Sequence, residues 1–299
     1  MTGRAVAAHR AGYVAIVGRP NVGKSTLLNS CVGQKISIVS RKAQTTRHRI
    51  TGILSREDAQ VVFVDTPGFQ TEYGGALNRI LNRSVTQALR DVDAAVFVVE
   101  AGRFGPRDAA VLAQLPRNLA TIAAINKIDR MRDRRELLPF LQQLAGEREF
   151  SALIPVCATN GDGIASLLDE LARLLPESAP IFDEDQVTDR SERFLAAELI
   201  REKLFRQLGE ELPYAATVVI EQFKEEAGTR RIGATILVDR QGHKAIVIGR
   251  GGETLKRIAS DARRDMERMF GCRVFLEVWV KVKSGWADSA ASLKSLGYD

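Results

Sequence analysis

The stretch that decides the fold is GRPNVGKST, residues Gly18 to Thr26, which follows the apolar run YVAIV at 13–17. It matches the pattern G-x-x-x-x-G-K-[ST] between a predicted strand and a predicted helix, which is the context in which this pattern binds phosphate. Gly18 and Gly23 let the backbone wrap around phosphate groups with successive N–H groups pointing inward. We therefore predict a mononucleotide site in an α/β domain.

Two side chains of this loop provide the charge and the metal ligand that nucleotide chemistry needs. Lys24 supplies a cation to the β- and γ-phosphates, and Ser25 supplies a hydroxyl ligand for Mg²⁺. The other predicted nucleotide-binding positions of the loop are Gly18, Arg19, Pro20, Asn21, Val22, Gly23 and Thr26.

Three shorter motifs each end a predicted buried strand, where open α/β sheets place their ligands. In DTPG, Asp65 can orient the Mg²⁺ shell and the Gly68 N–H can reach a γ-phosphate. In NKID, the Asp129 carboxylate can accept from two N–H groups of guanine, a pair that adenine cannot offer. In VCAT, the Ala158 N–H can donate to the guanine carbonyl. The predicted contacts from these motifs are Asp65, Thr66, Pro67, Gly68, Phe69, Asn126, Lys127, Asp129, Cys157 and Ala158.

The length and the distribution of charge indicate a second domain. At 299 residues the chain exceeds one typical domain. Residues 228–283 carry thirteen Lys/Arg and six Asp/Glu, whereas the rest of the chain has a balance of −1. A solvated helix face would explain this charge, and a domain that binds a polyanion would explain it as well. The three cysteines have no metal-ligand spacing and no signal peptide is recognisable, so we expect a reducing, cytoplasmic compartment.

A second glycine loop, GRGG at Gly249–Gly252, lies inside this basic segment. It lacks the Gly-Lys-Ser/Thr of a mononucleotide loop and the acidic ribose partner of a dinucleotide loop, so a second nucleotide site is disfavoured. A bare helix N-terminus is one alternative. The other is the G-x-x-G loop with which KH domains clamp single-stranded nucleic acid. The predicted RNA-binding residues are Lys244, Ile248, Gly249, Arg250, Gly251, Gly252 and Lys256.

Together with the four nucleotide motifs, QTTRHRITGI at 44–53 and VKVKSGWAD at 280–288 resemble the Era family of bacterial ribosome-assembly GTPases over nearly the whole chain. The resemblance implies an α/β P-loop GTPase domain followed by a smaller α+β type II KH domain. We predict an N-terminal tail at 1–11, the GTPase domain at 12–177, a linker at 178–190, the KH domain at 191–285 and a C-terminal tail at 286–299.

The resemblance also implies chemistry and partners. The cofactors would be GTP or GDP and Mg²⁺, with Thr46 preferred to Thr45 as the second hydroxyl ligand of the metal, beside Ser25 and the outer-shell Asp65. Lys24, Thr46 and Gly68 would be the catalytic set. The partners would be the 16S ribosomal RNA near its 3′ end and the pre-30S particle, bound by a monomer. The run HKAIVI at 243–248 has the β-branched residues of a strand, but the family places a short helix there.

One position departs from many GTPases, because Phe69 stands where a glutamine often orients the attacking water. We therefore expect slow intrinsic GTP hydrolysis. By analogy with related GTPases, K⁺ held partly by Asn21 is a hypothesis for the missing charge. Two rival functions stay open: a P-loop metabolic kinase, which NKID disfavours, and a signalling GTPase at the inner membrane face. The latter would bind anionic lipid through the basic helix ARRDMERMF at 262–270.

Overall fold

The computed structural model describes residues 9–40, 42, 45–65, 89–209, 212–286 and 293–294. These residues form two compact units. The first comprises 9–37, 46–65 and 89–189, and the second comprises 38–40, 42, 45, 190–209, 212–286 and 293–294. Part of the predicted linker hydrogen-bonds within the first unit, since Ile53 N–H donates to Val187 O at 2.9 Å. The domain boundaries given above stay a prediction.

A six-stranded sheet forms the centre of the first unit. Its strands are β1 Arg10–Val17, β2 Ile50–Ser55, β3 Ala59–Asp65, β4 Ala94–Glu100, β5 Ala120–Asn126 and β6 Ala152–Val156. Their order is β2-β3-β1-β4-β5-β6, and only the β2–β3 pair is antiparallel. Every residue of β3 is buried, as expected of an apolar strand covered on both faces. The predicted α/β class is confirmed, with one antiparallel strand, β2, at the edge of the sheet.

The order of the strands fixes where a ligand can bind. Among its described residues, this unit has the helices α1 Lys24–Val32, α2 Pro106–Leu112, α3 Leu137–Glu147 and α4 Ile164–Leu174. Strand β1 pairs with β3 on one side and with β4 on the other, so the direction of winding reverses at β1. Ligands of open α/β sheets bind at such a reversal, beyond the carboxyl ends of the strands. The loop between β1 and α1 lies at that point.

The second unit is smaller and has a three-stranded sheet. Its elements are α5 Glu192–Gln207, β7 Ala216–Glu226, β8 Thr229–Val238, α6 Gln241–Ile248, α7 Glu253–Phe270 and β9 Arg273–Val282. Strand β8 is central, antiparallel to β7 and parallel to β9. The helices pack on one face of this sheet, where the shared core includes Ile232, Ile236, Val247, Ile258 and Met266. The predicted smaller α+β domain is confirmed.

The run HKAIVI lies in helix α6, so the reading from β-branched residues alone is wrong and the reading from the family is right. Within α6 only Val247 is buried, and it packs into the core of the unit. A strand with one face on the core would bury every second residue, whereas this segment buries a single residue, Val247. Tertiary packing thus overrides β-propensity. In the described part of the chain, no helix combines the length and apolar character that crossing a membrane would require.

Candidate nucleotide and RNA sites

The loop from Gly18 to Gly23 is shaped by backbone positions that few residues tolerate. Gly18 and Gly23 have φ values of 156° and 105°, and Asn21 has φ 65°. A Cβ atom at Gly18 would lie 2.5 Å from the carbonyl oxygen of Val98, and one at Gly23 would collide with the side chain of Asn126. Packing, in addition to backbone freedom, therefore requires glycine at both positions.

Lys24 points into the centre of this loop. Its ammonium group donates to the carbonyl oxygens of Gly18 at 3.0 Å and Arg19 at 3.1 Å. The side chain is 7% exposed. Burial lowers the pKa of Lys24 to about 8, although Asp65 opposes the shift. A buried, weakly neutralised cation surrounded by a loop is suited to meeting phosphate oxygens.

Three hydroxyl groups converge on one carboxylate oxygen at the end of β3. Asp65 Oδ2 accepts from Ser25 Oγ at 2.8 Å, from Ser37 Oγ at 2.9 Å and from Thr46 Oγ1 at 3.3 Å. The hydroxyl oxygens of Ser25 and Thr46 are 2.9 Å apart. Burial raises the pKa of Asp65, while Lys24 and the three hydroxyl bonds oppose that rise. The sequence predicted Ser25, Thr46 and Asp65 together, but it gave no signal for Ser37.

The other oxygen of this carboxylate indicates what the cluster can hold. Asp65 Oδ1 is buried, and no described side chain or backbone group hydrogen-bonds to it. Buried polar atoms are normally paired. An unpaired carboxylate oxygen next to two hydroxyl oxygens is a set of hard donors, which suits Mg²⁺ and its bound waters. The residues present therefore fit the metal that the sequence predicted.

The neighbouring threonines differ in where their hydroxyl groups bond. Thr45 Oγ1 donates to the carbonyl oxygen of Lys42 at 2.7 Å and lies 2.9 Å from Ser40 Oγ. It therefore belongs to a local turn, whereas the Thr46 hydroxyl faces Asp65 and Ser25. The geometry thus favours Thr46 over Thr45 as the second hydroxyl ligand.

Asn126 joins three segments at the end of β5 and is 3% exposed. Its Nδ2 donates to the carbonyl oxygen of Val22 at 2.8 Å, and its Oδ1 accepts from the N–H groups of Lys127 at 2.8 Å and Ala158 at 3.0 Å. One side chain thus fixes the phosphate loop relative to the two loops that follow β5 and β6. The predicted bond from Ala158 N–H to guanine stays a prediction, because here that group donates to Asn126.

The predicted base-recognising carboxylate, Asp129, is hydrogen-bonded to Cys157, which the sequence predicted only as a nucleotide contact. The thiol of Cys157 donates to Asp129 Oδ1 at 3.1 Å, and its sulfur lies 3.2 Å from Thr159 Oγ1. Cys157 is buried, and Asp129 lies in a short 3₁₀ turn at Ile128–Arg130. The thiol holds one oxygen of the carboxylate and so fixes its orientation.

Glu100, at the end of β4, is a residue that sequence reasoning missed. Its carboxylate lies 2.8 Å from Lys127 Nζ and 3.5 Å from Arg19 Nη2, and Arg19 Nε also donates to Asp108 Oδ1 at 3.0 Å. Lys127 Nζ donates in addition to the carbonyl oxygen of Asn21 at 2.7 Å. Burial alone would raise the pKa of Glu100, but Lys127 and nearby arginines lower it below its ordinary value.

This arrangement gives the side chain of Arg19 a structural role, while its predicted contact with the nucleotide stays a prediction. Because Asp108 and Glu100 hold its guanidinium group, Arg19 braces the loop from outside. The sequence could not reveal this, since Glu100 and Asp108 are remote from the motif along the chain. The predicted contacts Thr66, Pro67, Gly68 and Phe69 lie outside the described residues.

The second glycine loop, like the first, has left-handed glycines and ends at the N-terminus of a helix. Gly249, Gly251 and Gly252 have φ values of 74°, 59° and 81°, and Arg250 between them is exposed. Gly252 is the N-cap of the 18-residue helix α7 and offers no side-chain cap. The first-turn N–H groups of that helix therefore present positive charge to an approaching anion.

The side chains predicted to accompany this loop are placed around it unequally. Lys256 on α7 is exposed and Lys244 on α6 is half-buried. Ile248 packs partly against the core of the second unit. Nearby on the two helices, Ile258 is completely buried in the core, whereas Ile246 is 55% exposed.

Helix α7 also bears on the membrane alternative. Its apolar residues Ile258, Ala262 and Met266 are fully buried in the core of the second unit. Its arginines pair along the same helix, as in Arg263–Glu267 at 2.7 Å and Arg264–Asp261 at 2.5 Å. The apolar face that an interfacial helix would insert into lipid is therefore already used.

Comparison with known proteins agrees with both sites. Residues 13–127 match the family model of the 50S ribosome-binding GTPase, and residues 211–287 match that of the KH domain. The GTPase Era of Nitrosomonas eutropha is 57% identical over 97% of this chain and 98% of its own length. The GTPase Era of Neisseria meningitidis serogroup C is 58% identical over 98% and 96%.

Two solved structures superpose with a TM-score of 0.93 at 37% identity, over 97% of this chain and 99% of theirs. One is a variant of Era from Aquifex aeolicus bound to GDP and AlF4⁻, and the other is an Era complex with MgGDPNP and nucleotides 1506–1542 of 16S ribosomal RNA. With such similarity along its whole length, the chain belongs to the Era family of GTPases.

Proposed function

We propose that this protein binds and hydrolyses GTP in its first unit, binds 16S ribosomal RNA near the 3′ end through the Gly249–Gly252 loop of its second unit, and acts in assembly of the small ribosomal subunit. The observation that carries the proposal is the convergence of Ser25, Thr46 and Asp65 next to the buried Lys24. This combination of two hydroxyl groups, a carboxylate and a cation at a glycine loop is typical of metal-assisted phosphoryl transfer.

Each residue has a definite task in that reaction. Lys24 neutralises charge on the β- and γ-phosphates, and the loop N–H groups from Gly18 to Gly23 hold the phosphate oxygens. Ser25 and Thr46 would ligate Mg²⁺ while Asp65 orients its bound water. When bound, Mg²⁺ neutralises the charge that develops on the transferred phosphoryl group. Asp129, oriented by Cys157, would accept from the two N–H groups of guanine.

Replacement of one oxygen of Asp129 by a nitrogen tests whether this side chain recognises guanine. In Asp129→Asn, one carboxylate oxygen becomes an NH₂ donor, which matches the extra carbonyl of xanthine and clashes with the donors of guanine. We expect GTP affinity to fall by about 100-fold or more and XTP affinity to rise above it. Titration with fluorescent GTP, XTP and ATP measures both. Equal loss for all three nucleotides would contradict the base contact.

A monovalent cation could assist hydrolysis in a GTPase that has Phe69 where others have the water-orienting glutamine. A K⁺ ion held partly by Asn21 would supply positive charge to the transition state without an arginine. We expect faster GTP turnover in KCl than in NaCl at equal ionic strength, and an Asn21→Ala variant that no longer distinguishes the two salts. The same rate in both salts for the unmodified protein would end this part of the proposal.

The RNA half of the proposal rests on the three left-handed glycines, the exposed Arg250 and the uncapped helix α7. It is supported by the Era neighbour solved with a segment of 16S RNA. An oligonucleotide with the 3′-terminal sequence of 16S RNA should bind more tightly than a scrambled one of equal length, at stated salt. Equal affinity would restrict the loop to binding without sequence preference.

The cellular setting follows from membership of the family. We propose a cytoplasmic monomer that associates with the pre-30S particle. Contact with the inner membrane face is the remaining alternative, and co-sedimentation with anionic vesicles tests it. We expect the protein to stay in the supernatant, since the apolar face of α7 is buried in the core.

A further inference from the structure

The sheet of the second unit has one face packed by helices and one open face. Strand β9 alternates between them, with Val274 and Val280 in the core and Phe275 and Trp279 pointing outward. Phe275 is 49% exposed and Trp279 is 46% exposed. Among the described residues with large, highly exposed hydrophobic side chains, these are the two aromatic ones. The Gly249–Gly252 loop joins helices that pack on the other face.

The indole of Trp279 reaches the neighbouring strand β8. A Cβ atom added at Gly233 would be 3.4 Å from Cζ3 of Trp279, so the ring covers the glycine. Thr235 is paired directly across from Trp279 on the same face and is only 1% exposed. Although the ring contacts the position of Gly233, Trp279 remains exposed. Cross-strand cover of a glycine is a structural use of tryptophan, and the exposed part of the ring stays available to a ligand.

Cations surround the two rings. The guanidinium of Arg231 lies over the ring of Phe275, 5.4 Å from its centroid. Lys281 lies 3.0 Å from Glu221, whose carboxylate also accepts from Thr235 at 2.7 Å. Arg273 at the start of β9 and Lys283 just after its end lie on the same face as the two rings, and so does the acidic Glu277. Arg231 also pairs with Glu226 at 2.9 Å, so part of this charge is neutralised. Four cations against Glu221, Glu226 and Glu277 leave the open face with a small basic excess, and polar groups separate its two aromatic rings.

We propose that this open face, centred on Phe275 and Trp279, is a second binding surface for single-stranded RNA. Exposed aromatics on a basic sheet stack bases in the same way in other RNA-binding domains. The rings are four residues apart on β9, about 13 Å by the rise of a strand. That distance is much greater than the roughly 3.4 Å between stacked neighbours in a helical strand, so the surface suits an unstacked strand.

The charge of the face favours RNA over protein as the occupant. Two rings interrupted by Arg231, Glu277 and Lys281 do not form the continuous apolar centre of a protein interface. Phosphates would meet the cations while bases meet the rings. The surface extends the proposed RNA function to a second contact, so that a long single strand would touch the protein at two places.

The test compares RNA lengths in the full-length protein. The double variant Phe275→Ala/Trp279→Ala is titrated with labelled single strands of about 8 and about 24 nucleotides, which span one site and both sites. We expect about fivefold or greater weakening for the long RNA and no change for the short one. The single variant Trp279→Phe should keep most of the affinity for the long RNA, because an aromatic ring remains next to Gly233.

Two controls separate this proposal from the function of the glycine loop. Val282→Ala removes an exposed apolar side chain from the face of β9 opposite Phe275 and Trp279. It should change the affinity for neither the short nor the long RNA. Arg250→Glu should weaken both RNA lengths. In a Trp286→Phe background, where Trp279 is the only tryptophan, long RNA should quench its fluorescence.

Several results would overturn the proposal. Unchanged affinity of the double variant for long RNA would do so, as would equal losses with Val282→Ala. Wild-type RNA affinity combined with lost binding to small-subunit particles would assign the face to a protein instead. If Arg250→Glu leaves all binding intact while the double variant weakens it, the second surface stands and the assignment of the glycine loop fails.

Discussion

The two glycine loops of this protein differ in how closely other groups surround their glycines. In the loop from Gly18 to Gly23, side chains at the glycines would strike their surroundings, such as the carbonyl oxygen of Val98 at 2.5 Å. At Gly251 and Gly252 a Cβ atom would meet nothing within 4 Å in the described part of the chain, although one at Gly249 would lie 2.2 Å from Thr254 Oγ1. The first loop is enclosed by its own protein, and the second is open at its last two glycines.

This difference determines which ligand each loop can take. The enclosed loop has its polar groups fixed in advance by Lys24, Asn126 and Lys127, so it can select one small ligand by geometry. The open loop provides left-handed backbone, an exposed Arg250 and a helix N-terminus. It can approach the backbone of a polymer, for which charge matters more than enclosure.

Removal of the cation from the enclosed loop should have the largest effect. For Lys24→Ala we expect GTP affinity to fall by about 100-fold or more, because the variant no longer offers a buried charge-assisted hydrogen bond to phosphate. RNA affinity of the second unit should stay unchanged. Fluorescent nucleotide titration and RNA anisotropy on the same preparation measure both. A parallel loss of RNA affinity in a protein with an unchanged melting temperature would show that the loops are not independent.

Reversal of the charge on the open loop should have a moderate effect. Arg250→Glu is expected to weaken RNA binding by about tenfold and to reduce the slope of log K against log salt by about 0.7 for each phosphate that the variant no longer neutralises. Arg117→Glu, an exposed residue of the first unit, is the matched control for net charge. If both variants lose the same affinity, only overall charge matters and the predicted role of the loop is wrong.

A smaller effect is expected outside the enclosed loop. Glu100→Gln removes the charge that holds Arg19 and Lys127, so the loop at Asn21 should loosen and GDP should dissociate about fivefold faster. Stopped-flow displacement of fluorescent GDP measures the rate, with the exposed Glu149→Gln as control. An unchanged rate, with normal folding, would mean that Glu100 does not position the loop.

The smallest effect concerns pH. The pKa of Lys24 is lowered to about 8 by burial, and bound phosphates would raise it again, so GDP binding should take up a proton above that pH. Affinity should therefore fall as pH rises, by about twofold at pH 8 and more steeply beyond. Calorimetry in two buffers of different ionisation enthalpy counts the protons. In Lys24→Arg, which stays charged, any uptake above pH 8 would have to come from another group.

Much of the candidate site follows from local sequence because its chemistry is local. The loop from Gly18 to Thr26 forms between a strand and a helix of its own segment, and the motifs at Asp65 and Asn126 end buried strands. Ser37, Glu100 and Asp108 could not be found in this way. Their contacts join residues that are distant along the chain, and no spacing rule links a serine to a carboxylate 28 positions later.

The sequence by itself determined that there is a guanine-nucleotide loop, a basic second domain and a G-x-x-G loop, because each depends on residue types at short spacing. Only the tertiary structure decided that HKAIVI is a helix, that Arg19 braces its loop from outside, and that Phe275 and Trp279 lie on an open face. These outcomes depend on which surfaces meet. Burial is a property of the packed chain, and neither propensity nor periodicity specifies which face of an element will be covered.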